Sequence, residues 1–122
     1  MSQSDFPEIF NQLKAYLKNY EHDLVVKQDN DSTYYLDSEK VFPKNKKPYF
    51  FGAVTIKKNY VSYHLMPVYM FPDLLEDLSP NLKKHMQGKS CFNFKKTDLE
   101  LFQELEKLTA QSFERFKKEN MI

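Results

Sequence analysis

The chain has no tryptophan, two glycines, one cysteine and one arginine, and each shortage closes off a class of protein. With only Gly52 and Gly88, the chain cannot build the glycine-rich loop that lets backbone wrap a phosphate, so nucleotide folds of the glycine-loop kind are excluded. Gly88-Lys89-Ser90 shares the end of such a loop, but it lacks the earlier glycine and leads into a strand rather than a helix. Cys91 stands alone, which rules out an intrachain disulfide or a cysteine-based zinc site and points to a reducing compartment. Arg115 is the only arginine in a chain of net charge +1, which leaves a nucleic-acid surface weakly supported even where lysines and aromatics interleave, as in 44–51 and 57–63. No run approaches the roughly 18 apolar residues of a membrane span, and the opening MSQSDFPEIF has no basic start followed by an apolar stretch. The expectation is a cytoplasmic protein with no membrane partner.

What the chain does have is rings. Eleven Phe and eight Tyr in 122 residues predict a core filled by aromatic side chains, and the length predicts one domain over 1–122. Charge is uneven. Residues 1–39 carry 3 Lys against 8 Asp and Glu, residues 40–96 carry 11 Lys against 3, and residues 97–122 carry 4 basic against 6 acidic side chains. A basic middle between acidic ends reads either as an anion-binding face or as solvated loops that offset the helices.

Asp5-Phe6-Pro7-Glu8 has the form of a capping box, with proline where a first-turn N–H is not needed. Phe6, Ile9, Phe10, Leu13, Leu17 and Tyr20 then recur at helical spacing, predicting a helix to about Asn19. Leu24 to Gln28 and Tyr34 to Leu36 read as short strands around a polar turn, and 39–48, with two prolines and four lysines, reads as an exposed loop. Tyr49 to Ile56 and Tyr60 to Met66, joined by Lys57-Lys58-Asn59, read as a hairpin, with Gly52 marking a bulge or a close backbone approach. Pro67 and Pro72 end the pairing, and Phe71 to Met86 reads as helical in two pieces parted at Ser79-Pro80, with a stop at Gly88. Ser90 to Lys95 is a last strand, and a second capping box at Thr97 to Glu100 opens a closing helix to about Glu119. The predicted fold class is α+β, a single antiparallel sheet of about five strands with helices packed on one face, in the order α-β-β-β-β-α-α-β-α.

Nucleophilic chemistry needs a Ser or Cys beside a positioned base, and the only histidines are His22, His64 and His85. Cys91 reads as a buried structural cysteine. His64 falls opposite to Val61, Tyr63 and Leu65 on strand alternation, so it faces solvent or a pocket on the open side of the sheet. Asp5, Glu8, Glu21, Asp23, Asp29 and Asp31 are the carboxylates that could converge on a hard cation, though Lys14 and Lys18 interrupt them.

Tyr49-Phe50-Phe51-Gly52-Ala53-Val54, the hairpin ending in Leu65-Met66-Pro67, the helical stretch Leu74 to Met86 and Gly88-Lys89-Ser90-Cys91-Phe92-Asn93-Phe94 together resemble the YdhG-like family of small bacterial domains of unknown function. The likeness covers most of the chain after residue 30. It implies an α+β fold with an antiparallel sheet and helical layers, and, because some relatives are described as frataxin-like iron chaperones, iron bound through surface carboxylates. No metal-binding motif carries over to particular residues here.

The leading expectation is a non-catalytic binding module: a face rimmed by Lys46, Lys47 and Lys89 and lined by Tyr34, Tyr63, His64 and Met66, taking a small anionic ligand or a protein partner. No catalytic residue, metal ligand or cofactor is assigned. The alternative is a frataxin-like iron-binding protein using Asp5, Glu8 and the turn 29–31, and a homodimer contact fits an aromatic patch equally well.

Overall fold

A computed structural model describes residues 6–41 and 43–122. One antiparallel sheet of six strands, ordered β1-β2-β3-β4-β6-β5, carries the two long helices on one face. Helix α1 (Phe6–Lys18) buries Phe6, Ile9, Phe10, Leu13 and Leu17, the stripe its spacing predicts. The Asp5 cap lies outside the described residues. Strands β1 (Val25–Asp29) and β2 (Thr33–Val41) follow, then β3 (Pro48–Ile56) and β4 (Val61–Leu65).

The predicted loop over 39–48 is therefore too long. Strand β2 continues to Val41 and β3 begins at Pro48, because Ser38 is drawn into the core side, where its hydroxyl donates to the Met121 carbonyl. Met66, expected at a strand end, instead opens helix α2 (Met66–Met70), in which Pro67 occupies the first turn. A 3-10 turn at Pro72–Leu75 and the short helix α3 (Pro80–Lys83) fill the stretch predicted as two longer helical pieces. Ser79 caps α3 by accepting from the Leu82 N–H at 3.1 Å, while its own N–H and hydroxyl donate to Glu104 at 2.7 Å each. The sixth strand, unforeseen, is β5 (Met86–Gln87), two residues that pair with β6 (Cys91–Phe94) across the turn at Gly88, whose φ of +76° suits glycine.

Helix α4 (Leu99–Lys118) is capped by Asp98, which accepts from the Leu101 N–H at 3.2 Å, one position later than the predicted Thr97 cap. It ends in a Schellman motif: Asn120 takes φ 61°, its N–H bonds the Lys117 carbonyl, and the Met121 N–H reaches back to the Phe116 carbonyl at 2.8 Å.

The rings fill the core as composition predicts. Phe51 packs among Tyr20, Phe113 and Phe116, with Phe94 against Phe102 in T-shaped contact at 5.0 Å. Phe51 reaches that cluster through a bulge, since Leu36 pairs with Gly52 and Asp37 with Phe50, leaving Phe51 as an extra residue on β3. Gly52 is the close approach as well: a Cβ there would lie 3.0 Å from the His64 carbonyl oxygen and 3.1 Å from Leu17 Cδ2. Among the described residues no helix is long and apolar enough to cross a membrane.

Candidate functional site

With the helices gathered on one side, no element among the described residues covers the other face of the sheet, and register sorts its side chains into rows. Gln28, Tyr35, Ala53, His64, Cys91 and Gln87 are successive cross-strand partners through all six strands. Thr33, Thr55, Ser62 and Asn93 form a second row beside it. Because antiparallel strands rise about 3.4 Å per residue, neighbouring rows on one face stand about 6.8 Å apart. Beyond the second row, the Lys57 N–H closes the β3–β4 hairpin on the Tyr60 carbonyl at 2.8 Å. On the other side of the first row stand Phe50 and its cross-strand partner Asp37.

The two rows, with Phe50, Lys57 and Tyr60, line a groove of about 580 Å³. Past Tyr60, Gln87 and Asn93 it meets a second groove of about 640 Å³, lined by Lys84, His85, Lys95 and Lys96 among others. Both volumes fall within the roughly 300–1,000 Å³ that takes a drug-sized molecule. No ion pair among the described residues engages Lys57, Lys84, Lys95 or Lys96.

The floor of the first groove is aromatic. Tyr35 stacks on Phe50 with centroids 4.6 Å apart, and Phe50 meets the edge of His64 at 4.8 Å. Ser90 Oγ lies 2.7 Å from His64 Nε2 and fixes the rotation of the ring. Burial disfavours the imidazolium and lowers the His64 pKa, so the ring is neutral at pH 7. Burial likewise raises the Asp37 carboxyl, against a partial opposing pull from Lys27, and raises the Tyr35 phenol, with Asp37 adding to the latter.

In the second groove His85 Nδ1 lies 2.9 Å from the Asn93 carbonyl, an acceptor only, so Nδ1 carries the proton and Nε2 is left for other partners. The Asn93 amide donates to Gln87 Oε1 at 2.7 Å, while its own Oδ1 is buried without a hydrogen-bond partner among the described residues. Such an atom is disfavoured in a purely structural residue.

The expected site residues divide. His64 lines the groove, as strand alternation allowed. Tyr34 and Tyr63 do not: both are 0% exposed on the helix side. The Tyr34 hydroxyl donates to Glu21 at 2.6 Å with Lys14 over its ring, and Tyr63 bonds Thr109 at 2.6 Å. Burial is the main cause that raises both phenols. Alternation forbids Tyr63 and His64 from sharing a face, so no single pocket holds both. Met66 packs against the core at the start of α2. Lys46 and Lys47, in the β2–β3 connection, and Lys89, in the β5–β6 turn, are exposed, line neither groove and stand at the opposite end of the strands from Lys57.

Cys91, read as a buried structural cysteine, instead stands half-buried on the open face directly across from His64. Sequence reasoning also missed Tyr35, Phe50 and the lysines at 57, 84, 95 and 96. Alternation around Tyr34 and Phe51 could have found the first two, whereas the lysines needed the pairing of β6 beside β4. Asp5 lies outside the described residues, and the acidic residues within them do not converge. Asp29 is paired with Lys14 at 2.7 Å, Glu21 accepts from Tyr34, and no three His, Cys, Asp or Glu among the described residues are placed to share a metal ion.

No family model, curated protein or solved structure matches this chain. No residue role comes to it from a relative, and the site rests on its own geometry.

Proposed function

We propose that this protein is a non-catalytic binding module whose uncovered sheet face takes a small anionic ligand. The observation that carries the reading is the layout of that face, a groove with an aromatic floor that runs into four lysines without ion-pair partners among the described residues. Rings supply contact area at low entropic cost, and lysines at one end supply charge and direction. Ser90 Oγ lies beside His64 Nε2 at 2.7 Å, the pairing a nucleophile needs, but at 6% exposure the hydroxyl is closed to a substrate, which supports a binding role.

A thermal-shift series with small organic phosphates and carboxylates tests the proposal. A ligand at about 100 times its Kd stabilises the native state by about 2.7 kcal/mol. The rise in Tm is expected in the wild type, to persist when Lys46, Lys47 and Lys89 are reversed to Glu, and to disappear when Lys57, Lys95 and Lys96 are. A rise that survives the second set of reversals, or no rise with any anion, refutes it.

A further inference from the structure

We infer that the ligand of the open face is a nucleoside phosphate, with its base on the aromatic floor, its sugar across the hydroxyl and amide row and its phosphate among the lysines. The inference rests on the groove being an anion site and names the class of anion. Three chemically distinct zones follow one another along the strands. Tyr35 and Phe50 stack on each other and Phe50 and His64 meet edge to face, an aromatic zone in which His64 is held neutral by burial, so it is suited to a planar ring rather than a charge. Next come Thr33, Thr55, Ser62 and Asn93, every one of them both donor and acceptor, which matches a unit rich in hydroxyls and disfavours an aliphatic chain. Last are Lys57, in the first cavity, and Lys84, Lys95 and Lys96, in the second, beyond Tyr60, Gln87 and Asn93.

From the His64 row to the Lys57 level is four residues along the strands, or about 14 Å at an antiparallel rise of about 3.4 Å, room for three units end to end. The order excludes simpler anions on chemistry. A fatty acid would bury methylenes against the hydroxyl row and leave its polar groups without partners. A sugar phosphate would leave the aromatic floor uncovered, and an aromatic carboxylate would span only the first zone. The single arginine and two glycines do not oppose this, because lysines recognise phosphate as point charges without a wrapped backbone.

The test is a two-dimensional amide NMR titration of the full chain with adenosine and uridine 5′-monophosphates, the free nucleosides, ribose 5-phosphate, inorganic phosphate, a medium-chain fatty carboxylate and a short single-stranded oligonucleotide. A nucleoside monophosphate is expected to bind at least roughly tenfold more tightly than either of its parts. It should move the amides of Thr55, Ser62, His64 and Asn93. Lys57→Gln with Lys95→Gln should lower the nucleotide's affinity to that of the nucleoside and leave the nucleoside unchanged, while Phe50→Leu weakens both. Ribose 5-phosphate or inorganic phosphate binding as tightly as the nucleotide overturns the nucleotide assignment and leaves the anion groove standing. Tighter binding of the fatty carboxylate, or of the oligonucleotide alone, also overturns it. If no compound moves the open-face amides, this inference and the anion groove fall together.

Discussion

Tyr63 and His64 are neighbours in sequence with opposite destinations, and a double-mutant cycle on Tyr63 tests that division. The Tyr63 hydroxyl is buried and lies 2.6 Å from Thr109 Oγ1, whose own proton goes to the Leu105 carbonyl at 2.7 Å, so Tyr63 is the donor of the pair. Tyr63→Phe removes that donor but leaves Thr109 its bond to Leu105, a loss of about 1 kcal/mol, the usual net value of a hydrogen bond. Thr109→Val keeps the shape and strands the Tyr63 O–H in a site with 0% exposure, which costs up to about 3 kcal/mol. The double variant leaves no polar group unpaired and is expected to recover most of that loss, a coupling of up to about 3 kcal/mol. At this chain length 1 kcal/mol corresponds to roughly 3–6 °C in Tm, so thermal and urea denaturation of the four proteins resolve the pattern. Tyr63→Phe should also leave every open-face ligand bound as in the wild type. Additive losses, with Thr109→Val no worse than Tyr63→Phe, would refute the buried donor assignment, and a change in ligand affinity from Tyr63→Phe would refute the separation of the faces.

Gly52→Ala is expected to cost about 1–3 kcal/mol as overpacking, because Leu17 can shift from the new methyl but the His64 carbonyl in the sheet cannot; an unchanged Tm would contradict the close approach. The lowered His64 pKa makes stability depend on pH: below about pH 6.5 the unfolded chain takes up a proton that the folded ring resists, so stability falls with falling pH until the folded pKa is passed. His64→Gln should flatten that part of a Tm profile between pH 7 and 5, and an identical slope in the two proteins would count against it.

Much of this architecture is written locally. Period 3.6 in Phe6, Ile9, Phe10, Leu13 and Leu17, and again from Leu101 to Phe116, sets two amphipathic helices, and alternating runs set the central hairpin, because each element must hide one apolar stripe. The bulge at Gly52 and the outward turn of His64 were legible for the same reason. Tertiary structure alone decided the rest. The extension of β2 to Val41 depends on a bond from Ser38 to a residue 83 positions away, and the two-residue β5 exists only because β6 is there to pair with it. The lysines of the groove are scattered from 57 to 96 and become neighbours through the order β3-β4-β6-β5. Local sequence thus fixes which way each side chain points, since that follows from the geometry of its own backbone. Which side chains meet follows from strand order, which is settled only when the sheet as a whole buries its ring-filled face under α1 and α4.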